Sequence, residues 1–109
     1  MSQPQPADLG RFAEPAMLVL VSLTDGPKHG YAIMTDIESF DGTGIGPGTL
    51  YAVLARLEQT GYIEPLEAVE RRRPYRITEA GRQALATQLE QMDRFVRLGR
   101  TRGAGRAET

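Results

Sequence analysis

The side chains that most often do covalent chemistry are almost missing from this sequence: it has no cysteine and a single histidine, His29. Without cysteine there is no thiolate nucleophile, no disulfide and no sulfur-ligated metal, and one histidine per chain excludes a histidine-rich metal site. No nucleophile stands at a recognisable spacing from a base. An enzyme is therefore not expected, and no catalytic residue, metal ligand or cofactor is assigned. What remains is the chemistry of charge. Arg71, Arg72 and Arg73 are consecutive, with Arg76 close behind, and such a cluster neutralises phosphates, releases their counterions and can enter a narrow minor groove.

A net charge of -1 argues against a nucleic-acid partner, because such domains are usually basic. The distribution reverses that impression. Residues 1–70 hold three basic side chains, Arg11, Lys28 and Arg56, against ten acidic ones, whereas residues 71–109 hold ten arginines against Glu79, Glu90, Asp93 and Glu108. The asymmetry points to a localised positive field.

The elements that must carry these groups follow from pattern. At 109 residues, one domain with one modest core is expected, and a second copy would help to bury more surface. Residues 1–13, with Pro4, Pro6 and Gly10, read as a flexible arm. A helix opens near Pro15 and carries Met17, Leu18, Leu20, Val21 and Leu23 until Asp25, Gly26 and Pro27 stop it. A second is expected from about His29 to Phe40. Glycines 42, 44, 46 and 48 interrupt regular structure, after which Leu50, Val53, Leu54 and Leu57 mark one face of a third helix that ends at Gly61.

Two short, partly alternating stretches from Tyr62 to Val69 and from Pro74 to Ile77 then read as a hairpin with the arginines at its tip. Pro65 and Pro74 lack amide hydrogens, so edge-like strands are expected. Thr78 is placed as the N-cap of a fourth helix, on which Leu85, Leu89, Met92 and Val96 fall at spacings of four, three and four. The fold class is thus mainly α with a small β-hairpin: a winged helix-turn-helix over 14–77, a C-terminal dimerisation helix over 78–98 and a disordered tail over 99–109. The chain is expected to be cytoplasmic, with no membrane partner, because no apolar run approaches the roughly 18 residues of a spanning helix and the start lacks a signal peptide.

In a helix-turn-helix the second helix enters the major groove. Here that is the third helix, whose outward positions Gly48, Ala52, Ala55, Arg56 and Gln59 are small or polar. The candidate contacts are Thr49 and Tyr51 on backbone phosphate near the helix N-terminus, Arg56 on a base edge or a phosphate, Lys28 and His29 on the backbone, and Arg71, Arg72, Arg73 and Arg76 along the adjacent groove. His29 serves equally as a helix cap, and Tyr75 is expected to face inward beside Ile77. Leu85, Leu89, Met92 and Val96 are the candidate dimer interface. A winged-helix module that binds another protein is the alternative, motivated by the acidic first 70 residues.

Several stretches together resemble the PadR family of transcriptional regulators: Gly26 to Ile33, Pro47 to Tyr51, Leu54 with Arg56 to Glu58, Gly61 to Ile63, Arg73 to Tyr75, and Ile77 to Arg82. The resemblance implies a homodimeric winged-helix repressor that binds a double-stranded DNA operator and is released by a small-molecule effector or signal. The family often has serine where Gly46 stands, proline where Ala52 stands, and lysine with a second aromatic around the wing where Arg72 and Arg76 stand. The chain also ends after one C-terminal helix, as in the short members of the family.

Overall fold

The computed structural model describes residues 15–41 and 44–107; the expected arm over 1–13 lies outside them. Four helices and a three-stranded antiparallel sheet follow one another as α1 (Pro15–Ser22), a 3-10 turn (Leu23–Asp25), β1 (Lys28–His29), α2 (Gly30–Asp41), α3 (Pro47–Thr60), β2 (Ile63–Pro65), β3 (Pro74–Ile77) and α4 (Glu79–Ala107). Apolar periodicity explains the core. Val19, Leu20 and Leu23 meet Ile33 and Ile37 from α2, Leu50, Leu54 and Leu57 from α3, Ile63 and Ile77 from the sheet, and Leu85 from α4. The first helix touches the other three and is the hub of the domain.

Two boundaries differ from the expectation. His29 does not open α2 but joins Lys28 in a third strand, so the sheet has the order β1-β3-β2 and β3, with Pro74 at its start, is its centre rather than an edge. Pro74 is tolerated there because it is the first residue of the strand, paired with His29, while its carbonyl accepts from Leu66 N at 2.8 Å. The second difference is at the end of the chain. Instead of a frayed tail after residue 98, α4 continues through Gly99 and Gly103 to Ala107. Arg97 pairs with Asp93 at 3.2 Å and Arg94 with Glu90 at 3.9 Å. Both pairs run acid before base, the better orientation, and offset part of the roughly 1 kcal/mol that each glycine costs in a helix.

Caps fix the ends that matter. Gly46 caps α3 without a side-chain bond, and Gly61 closes it in the left-handed region at φ 84°. Thr78 caps α4 as expected: its hydroxyl accepts from Gly81 N at 3.0 Å and donates to Gly61 O at 2.6 Å. Gly81 crosses this junction so closely that a Cβ would stand 2.2 Å from the carbonyl oxygen of Tyr62. No helix among the described residues is long and apolar enough to cross a membrane.

Candidate nucleic-acid interface

Burial sorts the faces of α3. Leu50, Leu54 and Leu57 are buried, while Gly48, Thr49, Ala52, Ala55, Arg56 and Gln59 are all exposed, as a period of 3.6 requires. The outward surface is mostly backbone, methyl groups and one guanidinium. Arg56 forms no ion pair with a described residue. A helix so lightly covered can approach another surface closely, and its first turn offers free amide hydrogens under the positive end of its dipole.

Tyr51 is more than a flanking hydroxyl. Its ring is half exposed, and its phenol end lies over Gly30 at the start of α2, where a Cβ would be 2.5 Å from Oη and 2.9 Å from Cζ. A side chain at position 30 would displace the Tyr51 ring, so the glycine lets the phenol pack across the N-terminus of α2. Nothing in the spacing of Gly30 and Tyr51 announced it. Tyr75 stands near, half-buried; burial first, then the carboxylate of Glu58 and the Tyr51 phenol, push its hydroxyl pKa above the ordinary tyrosine value.

The hairpin tip is tighter than its sequence suggests. Val69 and Arg72 exchange two backbone hydrogen bonds, of 2.7 and 2.9 Å, leaving only Glu70 and Arg71 in the turn, at φ 52° and 68°. Two left-handed residues in a two-residue loop make a type I′ turn, usually built from Asn-Gly. Here a glutamate and an arginine take those positions, which costs about 1 kcal/mol or more for each. The turn drives Arg71 outward. Arg72 Nη1 reaches back to His29 Nε2 at 3.2 Å, and Arg73 Nη1 donates to Leu66 O at 2.7 Å.

Three candidates sit elsewhere than expected. Lys28 is not turned outward: its ammonium donates to Ser22 O and to Asp25, lies 3.8 Å from Asp36 Oδ2, and its side chain is 19% exposed. With the 2.7 Å bond from Ser22 Oγ to Asp36, it ties the end of α1 to α2. The same ammonium holds the Asp25 carboxyl below its ordinary value. Arg76 is not at the tip but on β3, bridged to Glu64 across the sheet, with Nε donating at 2.9 Å. Leu85 is buried in its own domain, so of the seam on α4 only Leu89, Met92 and Val96 remain uncovered, joined by Phe95, which is 74% exposed. Among the described residues no group of His, Asp or Glu could hold a metal ion.

Thr49, Tyr51 and Arg56 thus line the exposed side of α3, while the packing of Tyr51 over Gly30 and the contact of His29 with Arg72 link that helix, the start of α2 and the wing tip in one chain of contacts. A family model described as "Transcriptional regulator PadR-like family" matches residues 19–87. The chain is 48% identical over 85 residues, 78% of its length, to an uncharacterized 37.1 kDa protein of a Streptomyces fradiae transposon, and it spans 25% of that protein. It is 39% identical to transcriptional regulator Rv3488 of Mycobacterium tuberculosis, covering 80% of this chain and 86% of that one. A solved transcriptional regulator from Clostridium thermocellum aligns with a TM-score of 0.73 and 32% identity over 84% of this chain and 93% of its own. The fold is also shared with the Bacillus subtilis PadR solved with operator DNA, at a TM-score of 0.62 and 22% identity over 68% and 45% of the two chains.

Proposed function

Because the chain belongs to the transcriptional regulator PadR-like family, we propose that it is a homodimeric repressor that binds a pseudo-palindromic DNA operator and lets go of it when a small ligand binds. In this reading two copies of α3 enter successive major grooves about one helical turn apart, and each wing lies over the neighbouring backbone. The observation that carries it is the chain of contacts from Tyr51 through Gly30 and His29 to Arg72, which sets the bare face of α3 and a cationic tip on one linked surface. The fold shared with an operator-bound PadR supports the same reading.

Roles divide by chemistry. Thr49 and Tyr51 bond backbone phosphate beside the α3 N-terminus. Arg56 is the one cation on the inserted helix, and Arg71, Arg72 and Arg73 supply most of the affinity through phosphate neutralisation. With few side chains able to read base edges, specificity rests on DNA shape and on the spacing of half-sites. The second copy is recruited by α4: its uncovered Leu89, Met92 and Val96 continue from an open groove beside α1, floored by Met17, Leu20, Leu57 and Leu85. Chain and operator meet in the cytoplasm.

A mobility-shift titration against the DNA upstream of the protein's own gene tests the reading. Binding that falls steeply with salt, and falls further when Tyr51, Arg56 and Arg71 to Arg73 are changed to alanine, is the expected result. Absence of binding at low salt sinks it and favours a module that docks on another protein.

A further inference from the structure

His29 makes two contacts that one neutral imidazole cannot make together. Its Nδ1 lies 3.3 Å from Ala32 N, where it caps the first turn of α2, and its Nε2 lies 3.2 Å from Arg72 Nη1. Both partners are donors: the amide has one hydrogen to give, and a guanidinium has no acceptor. A neutral imidazole accepts at one nitrogen and carries its proton on the other, and the imidazolium accepts at neither. Whichever contact is satisfied, the other sets two N–H groups face to face.

We propose that His29 is the positioning residue of the wing, its single acceptor nitrogen contested between the α2 cap and Arg72. In the free chain the two tautomers exchange, so Arg72 is held part of the time and the helix is capped the rest. A DNA phosphate that draws Arg72 away leaves the nitrogen to the helix: the ring proton moves by solvent exchange from Nδ1 to Nε2, and Nδ1 accepts from Ala32. Losing the wing anchor and gaining the cap then occur in one event, which keeps Arg72 ordered in the free protein at little expense to binding. The DNA arm rests on the function proposed above; the contest inside the free chain does not.

His29 is the only histidine, so its imidazole nitrogen-15 shifts read the tautomer directly in the full chain. The wild type is expected to show both tautomers, Arg72→Ala the Nε2–H form alone, and added upstream duplex a shift of the wild type toward that form. A tautomer ratio unchanged by Arg72→Ala overturns the proposal. Two variants separate the contacts, because glutamine places its carbonyl oxygen where Nε2 stands and asparagine where Nδ1 stands. His29→Gln keeps the anchor without the cap and is expected to bind the duplex roughly tenfold more weakly than His29→Asn, the size of one charge-assisted hydrogen bond. That difference disappears when Arg72→Ala is added to both. Equal affinities of the two variants, or a difference that survives Arg72→Ala, overturn the assignment. Should no duplex bind, the DNA reading fails by itself and the tautomer response to Arg72→Ala still decides the contest.

Discussion

Each arginine of the wing is engaged differently, and its neighbours set what its removal does. Arg71 stands outward on the turn and Arg72 is held by a shared nitrogen, so Arg71→Ala is expected to weaken DNA binding uniformly across sequences and to lower the slope of log affinity against log salt by about one. Arg76, tied to Glu64, is expected to change that slope much less. Filter-binding titrations at several salt concentrations check both. Lys28 is engaged inside the fold, its ammonium held by Ser22 O and Asp25. Its neighbour Asp25 has a lowered pKa in the folded chain, so the folded state favours the carboxylate. The stability from this pair is therefore present above the ordinary aspartate range and is lost as pH falls through the folded value. Asp25→Asn should lower the melting temperature at pH 7 and make no difference near pH 2, as melts across pH would report. Residue types and order were enough to propose a cationic wing beside a sparsely covered helix. They were not enough to separate Lys28 from Arg71, because that depends on which groups fold up beside each cation, and the Ser22 carbonyl and Asp36 carboxylate meet at Lys28 only in the folded chain.

At the scale of elements, the hairpin combines a readable strand pattern with an unreadable turn. Alternation located the strands, but the expectation of edge strands from the prolines fails for Pro74, which opens the central strand, and Glu70 and Arg71 carry none of the Asn-Gly signal of a type I′ loop. The pair is forced into the left-handed region by the Val69 and Arg72 hydrogen bonds on either side. Glu70→Asn combined with Arg71→Gly should therefore raise stability by about 1 kcal/mol and the melting temperature by roughly 4 °C, while lowering DNA affinity by the loss of one cation. The α2–α3 contact offers the opposite separation. Gly30→Ala pushes the Tyr51 ring off its seat, so DNA binding is expected to fall more than thermal stability, with Tyr51→Phe in the same position retaining the fold. Strand β1 was missed because two residues are too short to show alternation; it exists only because β3 offers Tyr75 and Pro74 as partners.

The whole molecule is a small domain with a long rod. Twenty-nine residues of α4 span about 43 Å at 1.5 Å per residue, and beyond Leu85 no described side chain of the rod is buried. On the dimer reading, Met92→Glu with Val96→Glu should convert the chain to a monomer by sedimentation and weaken operator binding at least tenfold, since one head then holds one half-site. Spacing picked out the exposed Leu89, Met92 and Val96, but it also counted Leu85, which is buried in the head. The extension past Gly99 was not legible, because glycine counts as a breaker and the two supporting ion pairs are visible only once the helix is granted. Gly81 sets how this rod leaves the head. With its Cα against the carbonyl of Tyr62, any larger residue must move backbone, so the angle between rod and wing is set by this one crowded joint. On the function proposed above, a variant could be given a new operator by exchanging what α3 and the wing display, whereas a change at the joint would have to move backbone.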